Sequence, residues 1–185
     1  MHATPVDFSK PPTVLETWIK NFDVKKFVSV FGNVPSFFLN IAFWLRNPLE
    51  ASSKYYFYFN PPRSLNEIKQ FLAVEYWLYD RVPIFGKAFE KIIEDVYKKN
   101  LLIQNEMDLG GKTINLKKIS VPILNIVGTN DDLVSAGSSR TITNIVSSQD
   151  KKTIEFPTGH VGLCISKFAH KKLWPEVGEW LIEHS

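Results

Sequence analysis

Val121-Pro122-Ile123-Leu124-Asn125-Ile126-Val127-Gly128, running straight into Thr129-Asn130-Asp131-Asp132-Leu133-Val134, decides the fold of this chain. The first eight residues are a short, nearly continuous apolar run, the pattern of a central parallel strand buried on both faces. The acidic loop follows at its carboxyl end. Further along, residues 138–147 read as a helix and Thr153-Ile154-Glu155-Phe156 as a second short strand. A turn follows, Pro157-Thr158-Gly159-His160-Val161-Gly162. Residues 166–173 and 175–183 read as two closing helices, with Val177, Trp180 and Leu181 facing inward and Pro175 at a helix start. Strand, acidic loop, helix, strand, histidine turn, helix is the tail of a doubly wound sheet, so the fold class is α/β.

Upstream, residues 107–116 read as a hairpin turned by Gly110-Gly111. The stretch before it is helical and rich in aromatics. Thr13 caps a first helix carrying Val14, Leu15, Trp18 and Ile19. Asp23 caps a second with Val24, Phe27, Val28 and Phe31, closed by Gly32. Pro35 suits the first turn of a third over residues 36–46, which Asn47-Pro48 stops. Pro61-Pro62 and Ser64 precede a fourth with Leu65, Ile68, Leu72 and Tyr76 at helical spacing. The clearest helix spans residues 84–100, with Phe85, Phe89, Ile92 and Val96 as its apolar stripe. Glu94 with Lys98 and Asp95 with Lys99 are i,i+4 pairs on its outer surface. No internal repeat or low-complexity tract is present.

The chain has 185 residues, 44% hydrophobic and 22% charged, which is enough for one domain with its own core. A net charge of +3, with lysines scattered or opposite acids, argues against a nucleic-acid partner. Cys164 is the single cysteine, so no internal disulfide forms, which suits a reducing compartment. The first residues lack the charged and apolar regions of a signal peptide. The most apolar stretch, residues 37–45, is about half the ~20 residues a membrane span needs, and Asn40 interrupts it. A cytoplasmic protein without a transmembrane segment is the expectation.

Catalytic groups in an open α/β sheet collect at the carboxyl ends of the strands, where Asp131 and His160 both fall. A carboxylate fixes a histidine's tautomer, and the histidine then takes a proton from a hydroxyl or thiol nucleophile. Taken singly, Asp131 or Asp132 is equally a turn residue after a strand, and His160 a loop residue between glycines. Acid then base, in this order, is how the α/β-hydrolase fold ends. Its nucleophile, on a Gly-x-Ser/Cys-x-Gly turn, belongs upstream, and the sequence contains none. Cys164 has no such turn and no strand before it, and reads as an inert core residue. His2, His170 and His184 make no metal-ligand spacing, so no metal site is expected. Phe37, Phe38, Phe43 and Trp44 lie all round their helix. That pattern suits a buried helix under a cap, or a lid or surface that meets a partner or hydrophobic polymer.

Taken together, these segments resemble the catalytic subunit of polyhydroxyalkanoate synthases, most closely the two-subunit type. The resemblance runs through Ala3-Thr4-Pro5-Val6-Asp7-Phe8, Gly32-Asn33-Val34-Pro35 with Phe38-Leu39-Asn40, and Glu75-Tyr76-Trp77 with Asp80. It continues through Gly86-Lys87-Ala88-Phe89, Asn100-Leu101-Leu102, Leu109-Gly110-Gly111-Lys112, Asn115-Leu116-Lys117-Lys118-Ile119 and Pro122-Ile123-Leu124-Asn125-Ile126. Asp131 with Leu133-Val134 and Ser138-Ser139, Gly159-His160-Val161-Gly162 and Glu179-Trp180-Leu181 complete it.

The resemblance implies a Cys-His-Asp acyltransferase that polymerises 3-hydroxyacyl units from coenzyme A thioesters and releases coenzyme A. Asp131 would be its acid and His160 its base, with no cofactor and no metal. Asp132 stands where such enzymes commonly carry histidine, and a second carboxylate there would raise the pKa of one of the two acids. Residues 1–12 would be the end of a core strand and its turn, 13–105 a helical cap or lid, and 106–185 the C-terminal part of the core. Implied partners are a second chain or subunit supplying the cysteine and a polyester granule. Alone, the chain would be inactive, and its strand 121–128 would keep an unpaired edge.

Overall fold

The computed structural model describes residues 1–60 and 63–185, apart from the side chains of residues 50, 51 and 57–59. The punctuation expected from Pro61-Pro62 lies outside the described residues. The chain divides into two compact units, Met1–Phe22 with Ile92–Ser185, and Asp23–Lys91. Helix α1 (Val14–Asn21) belongs to the first. Thr13 and Glu16 form a reciprocal capping box at its start, with Glu16 N donating to Thr13 Oγ1 at 3.3 Å and Thr13 N to Glu16 Oε2 at 2.7 Å.

The second unit holds α2 (Val24–Phe31), α3 (Ser36–Arg46), α4 (Pro48–Phe59), α5 (Leu65–Tyr79) and α6 (Gly86–Lys91). Asp23 and Ser64 cap α2 and α5 as their sequences indicate. Gly32 ends α2 at a φ of 67°, a conformation glycine adopts without a Cβ penalty. Pro48 not only ends α3 but opens α4, because proline's missing N–H costs nothing in a first turn. The expectation of a buried third helix is overturned: no residue of α3 is buried, and Phe37 and Trp44 stand 53% and 46% exposed. The expected face of α5 fails likewise. Leu65, Leu72 and Tyr76 are exposed, and Phe71 is the residue buried.

The helix expected over residues 84–100 is interrupted. After α6 the backbone widens into a π-helical segment, Ile92–Lys98, with Lys99 N bonded to Glu94 O five residues back at 2.9 Å. The extra residue per turn rotates the face. Ile93 is therefore buried where Ile92 was expected, and Ile92 and Phe85 are exposed. The Glu94–Lys98 and Asp95–Lys99 pairs form at 2.8 and 3.2 Å.

The rest of the first unit begins with α7 (Leu101–Gln104), flanked by Asn100 and Asn105, both left-handed, a conformation asparagine tolerates. Asn100 Nδ2 donates to Asp7 Oδ1 at 3.1 Å, and its Oδ1 accepts from Phe8 N at 3.1 Å. Burial opposes the Asp7 charge, but hydrogen bonds from Ser9, Asn100 and Lys10 hold its carboxyl below the usual range. Strands β1 (Asp108–Leu109) and β2 (Lys112–Thr113) pair antiparallel across Gly110-Gly111, whose φ values of 62° and 77° fit a two-residue hairpin turn.

Strand β3 (Ile123–Gly128) is buried along its whole length and pairs in parallel with β4 (Lys151–Phe156), from Ile123 opposite Lys151 to Gly128 opposite Phe156. Between them run α8 (Ala136–Arg140) and α9 (Ile142–Ile145), two short helices where one was expected. The other edge of β3 is not bare, as expected, but partly covered. Residues 1–3 run parallel to it, with Ile126 N bonded to Met1 O at 2.9 Å and Ala3 N to Ile126 O at 2.8 Å.

Helix α10 (Gly162–Ile165) leads into α11 (Lys167–Glu183), one helix where two were expected. Pro175 inside it deletes a backbone hydrogen bond at a cost of about 3 kcal/mol. Burying a Leu or Val side chain contributes roughly 1.5–3 kcal/mol each. Leu173 and Val177, buried on either side of the proline, therefore offset the loss and carry the helix through. Leu124 and Ile126 of β3 pack toward α11 with Phe156 and Leu163, while Ile123 packs on the other face with Ile142 and Val146. The chain thus has a mixed α/β architecture built on a short parallel sheet.

Candidate active site

Parallel pairing brings the loops that follow β3 and β4 to the same end of the sheet. Thr129 N donates to Phe156 O at 3.0 Å and Asn130 N to Thr158 O at 3.3 Å, so the acidic loop is laced to the histidine turn. Asp131 lies at the crossing. Its Oδ1 accepts from Leu133 N and Val134 N, both at 2.9 Å, an Asx-type turn closed on its own backbone. Its Oδ2 lies 2.7 Å from His160 Nδ1. The Asp131 side chain is 1% exposed and that of His160 33%.

This geometry orients the ring. Oδ2 belongs to a carboxylate whose other oxygen already accepts two N–H groups, so Nδ1 is the donor to it and Nε2 points away from the pair. Among the described residues Nε2 makes no hydrogen bond, and a third of the side chain remains open to solvent. The result is an imidazole oriented by the carboxylate at one nitrogen, with the other nitrogen open to solvent. Asp132 is exposed at the surface, and the carboxylate bonded to His160 is that of Asp131.

Two further residues stand nearby, and their placement differs from expectation. Cys164 is exposed, not a core residue, because α10 carries it outward and buries Leu163. Its Sγ lies 3.6 Å from His2 Nε2. The His2 ring lies 6.4 Å from that of His160 and 6.1 Å from that of Trp174. Burial, and then the neighbouring His160, pulls His2 below its ordinary pKa. No spacing in the sequence links residue 2 to residue 160; the parallel pairing of residues 1–3 with β3 does. Trp174 was missed for the same reason, although its Nε1 donates to Leu163 O at 3.0 Å and ties α11 to α10.

His170 is exposed. His184 meets Asp150 at 2.6 Å near the C-terminus. Among the described residues no group of three or more His, Cys, Asp or Glu side chains is arranged to hold a metal ion. No helix among them is long and apolar enough to cross a membrane.

Residues 84–185 match the model of the family described as PHB de-polymerase C-terminus. The poly(3-hydroxyalkanoate) polymerase subunit PhaC of Haloferax mediterranei is 38% identical over 186 residues, covering 99% of this chain and 38% of the relative. The subunit of the same name from Haloarcula marismortui is also 38% identical over 186 residues, covering 99% and 39%. That of Allochromatium vinosum is 35% identical over 182 residues, covering 98% and 51%. The chain thus spans 38–51% of the length of these relatives. No solved structure matches it.

Proposed function

Since this chain belongs to the PHB de-polymerase C-terminus family, we propose that it is the C-terminal part of a polyhydroxyalkanoate synthase and supplies the acid and base of its acyl transfer. The observation that carries the reading is the 2.7 Å contact between the enclosed Asp131 carboxylate and His160 Nδ1, with Nε2 left open. The similarity of the whole chain to polymerase subunits supports a hydroxyacyl substrate class for that pair.

In the proposed reaction His160 Nε2 takes the proton of a cysteine thiol. The sulfur attacks the carbonyl carbon of a 3-hydroxyacyl-coenzyme A thioester, the carbon–sulfur bond to coenzyme A breaks, and the departing thiolate receives the proton from His160. Asp131 stabilises the imidazolium formed in between. The same pair then deprotonates the 3-hydroxyl of the next unit, its oxygen attacks the acyl carbonyl carbon, the bond from that carbon to the cysteine sulfur breaks, and His160 returns the proton to the departing cysteine thiolate. The thiol is not among these 185 residues in a Gly-x-Cys-x-Gly setting, and residues outside them would have to provide it. The sheet is read as the C-terminal part of an α/β-hydrolase fold, residues 13–105 as its cap or lid, and the location as cytoplasmic or granule-associated.

The test is co-expression with a polypeptide carrying the Gly-x-Cys-x-Gly region, followed by assay of free coenzyme A released from 3-hydroxybutyryl-coenzyme A. Release that disappears in His160→Ala is the expected result. Absence of turnover in the complemented pair, or an unaltered rate in His160→Ala, would defeat the proposal.

A second reading has its own observation. In the unit Asp23–Lys91, Tyr76 is 73%, Trp77 60% and Phe85 62% exposed. Exposed aromatics in this number suit a non-catalytic module that binds a synthase subunit or a polyester granule. Co-sedimentation with granules, unaffected by His160→Ala and accompanied by no hydroxyacyl transfer, is what that reading expects.

A further inference from the structure

Thr158 sits where the acidic loop, the histidine turn and α10 converge. Its carbonyl accepts from Asn130 N at 3.3 Å, one residue before the acid. The same carbonyl would lie 2.8 Å from a Cβ placed on Gly128, the last residue of β3. On its other side, Thr158 Oγ1 would lie only 2.2 Å from a Cβ placed on Gly162, the first residue of α10.

Gly162 does not serve a left-handed turn, since its φ lies outside the region that favours glycine. Alanine is the better helix former at such a position, so local backbone preference does not account for the glycine. What the position requires is space. The Thr158 hydroxyl occupies the volume a side chain would take, and the four residues it brackets, Gly159 to Gly162, carry His160 at their centre.

We infer that Thr158 and Gly162 are positioning residues. The hydroxyl of one, seated against the bare Cα of the other, locks the histidine turn onto the acidic loop and holds His160 Nδ1 within 2.7 Å of Asp131. The catalytic consequence rests on the proposed acid–base role of that pair; the lock itself does not. A Cβ at Gly162 forces Thr158 or the turn to move, and displacement of a catalytic group by about 1 Å costs on the order of 10²-fold in rate.

The arrangement makes a compensation test possible. In Gly162→Ala the hydroxyl and the new methyl compete for one place. In Thr158→Ala with Gly162→Ala, the hydroxyl is gone, and the nearest remaining side-chain atom is the residue-158 Cβ at 3.5 Å, an ordinary contact. Proton NMR of the chain alone reads the lock directly, because an imidazole Nδ1–H held by a carboxylate gives a far-downfield resonance. Wild type shows that resonance, Gly162→Ala loses it, and the double variant regains it.

In the complemented assay, turnover falls about 10²-fold in Gly162→Ala and returns to within about 3-fold of wild type in the double variant. Retention of the resonance in Gly162→Ala overturns the inference. So does a double variant no better than Gly162→Ala, whether or not the single variant folds. If the resonance follows the pattern while the complemented pair never turns over, the lock stands and the synthase reading falls.

Discussion

Among the described residues two histidine–aspartate pairs form, and they are built to opposite ends. His160 and Asp131 meet at 2.7 Å with the carboxylate 1% exposed and braced by two backbone N–H groups. His184 and Asp150 meet at 2.6 Å with the carboxylate 53% exposed. His160 spends one nitrogen on its partner and leaves the other open. His184 spends both: Nδ1 lies 2.7 Å from Trp180 O and Nε2 2.6 Å from Asp150 Oδ2. Two acceptors call for two N–H donors, so this site favours the imidazolium form of His184, stacked on Trp180 at 4.0 Å. A base must have a lone pair to offer, and a clasp must not. Proximity of a histidine to an acid therefore says little about catalysis; the second nitrogen decides.

The largest effect that separates the pairs is on turnover. In the complemented assay Asp131→Asn presents an amide to Nδ1, so the wrong tautomer is favoured, and the rate falls by about 10⁴-fold. Asp150→Asn leaves the rate within about 2-fold, since nothing it touches faces the proposed chemistry. Coenzyme A release measured on both variants checks this. Equal losses in the two would erase the distinction drawn from their geometry.

The next effect is on stability and falls on the braced pair alone. A Cβ on Gly128 would lie 2.8 Å from Thr158 O, a backbone atom that cannot swing away, and 3.3 Å from both Asp131 Cβ and Leu163 Cδ1. Gly128→Ala therefore overpacks the junction of the two loops and lowers unfolding free energy by about 1–3 kcal/mol, as measured by denaturant titration. Gly178, on the helix that His184 caps, has open space at its Cβ position. Gly178→Ala is expected to raise stability by about 0.5–1 kcal/mol through helix propensity.

The braced pair was legible in the sequence and the clasp was not, for a physical reason. Asp131 and His160 each follow a strand, and parallel pairing of β3 with β4 carries both to one end of the sheet, so their order alone brings them together. The apolar run 121–128, whose residues 123–128 form β3, the Gly110-Gly111 turn and the caps Thr13, Asp23 and Ser64 were legible because they act within a few residues. What escaped depends on distant packing. The widened turn over Ile92–Lys98 has no local marker, and one inserted residue exchanges Ile93 for Ile92. Pro175 reads locally as a helix start, and only the burial of Leu173 and Val177 carries α11 through it. The aromatics of α3 show hydrophobicity in sequence, but hydrophobicity alone does not say that a face is covered, and this one is not.

The smallest effect is the pH signature of the clasp. The backbone carbonyl of Trp180 first, and then Asp150, raise the His184 pKa above its ordinary value of 6.5. A histidine whose pKa is higher folded than unfolded binds protons more tightly in the native state. Its contribution to stability is complete below the unfolded value and disappears as pH rises through the folded one. His184→Gln should therefore melt below wild type in mildly acidic buffer, and the difference should shrink as the pH is raised past neutrality, as thermal melts at stepped pH would read. Salt should narrow the gap further, since Asp150 is half exposed and its attraction is screened. A gap that widens with rising pH would mean that the ring is held neutral, and the contrast between its two committed nitrogens and the single one of His160 would be lost.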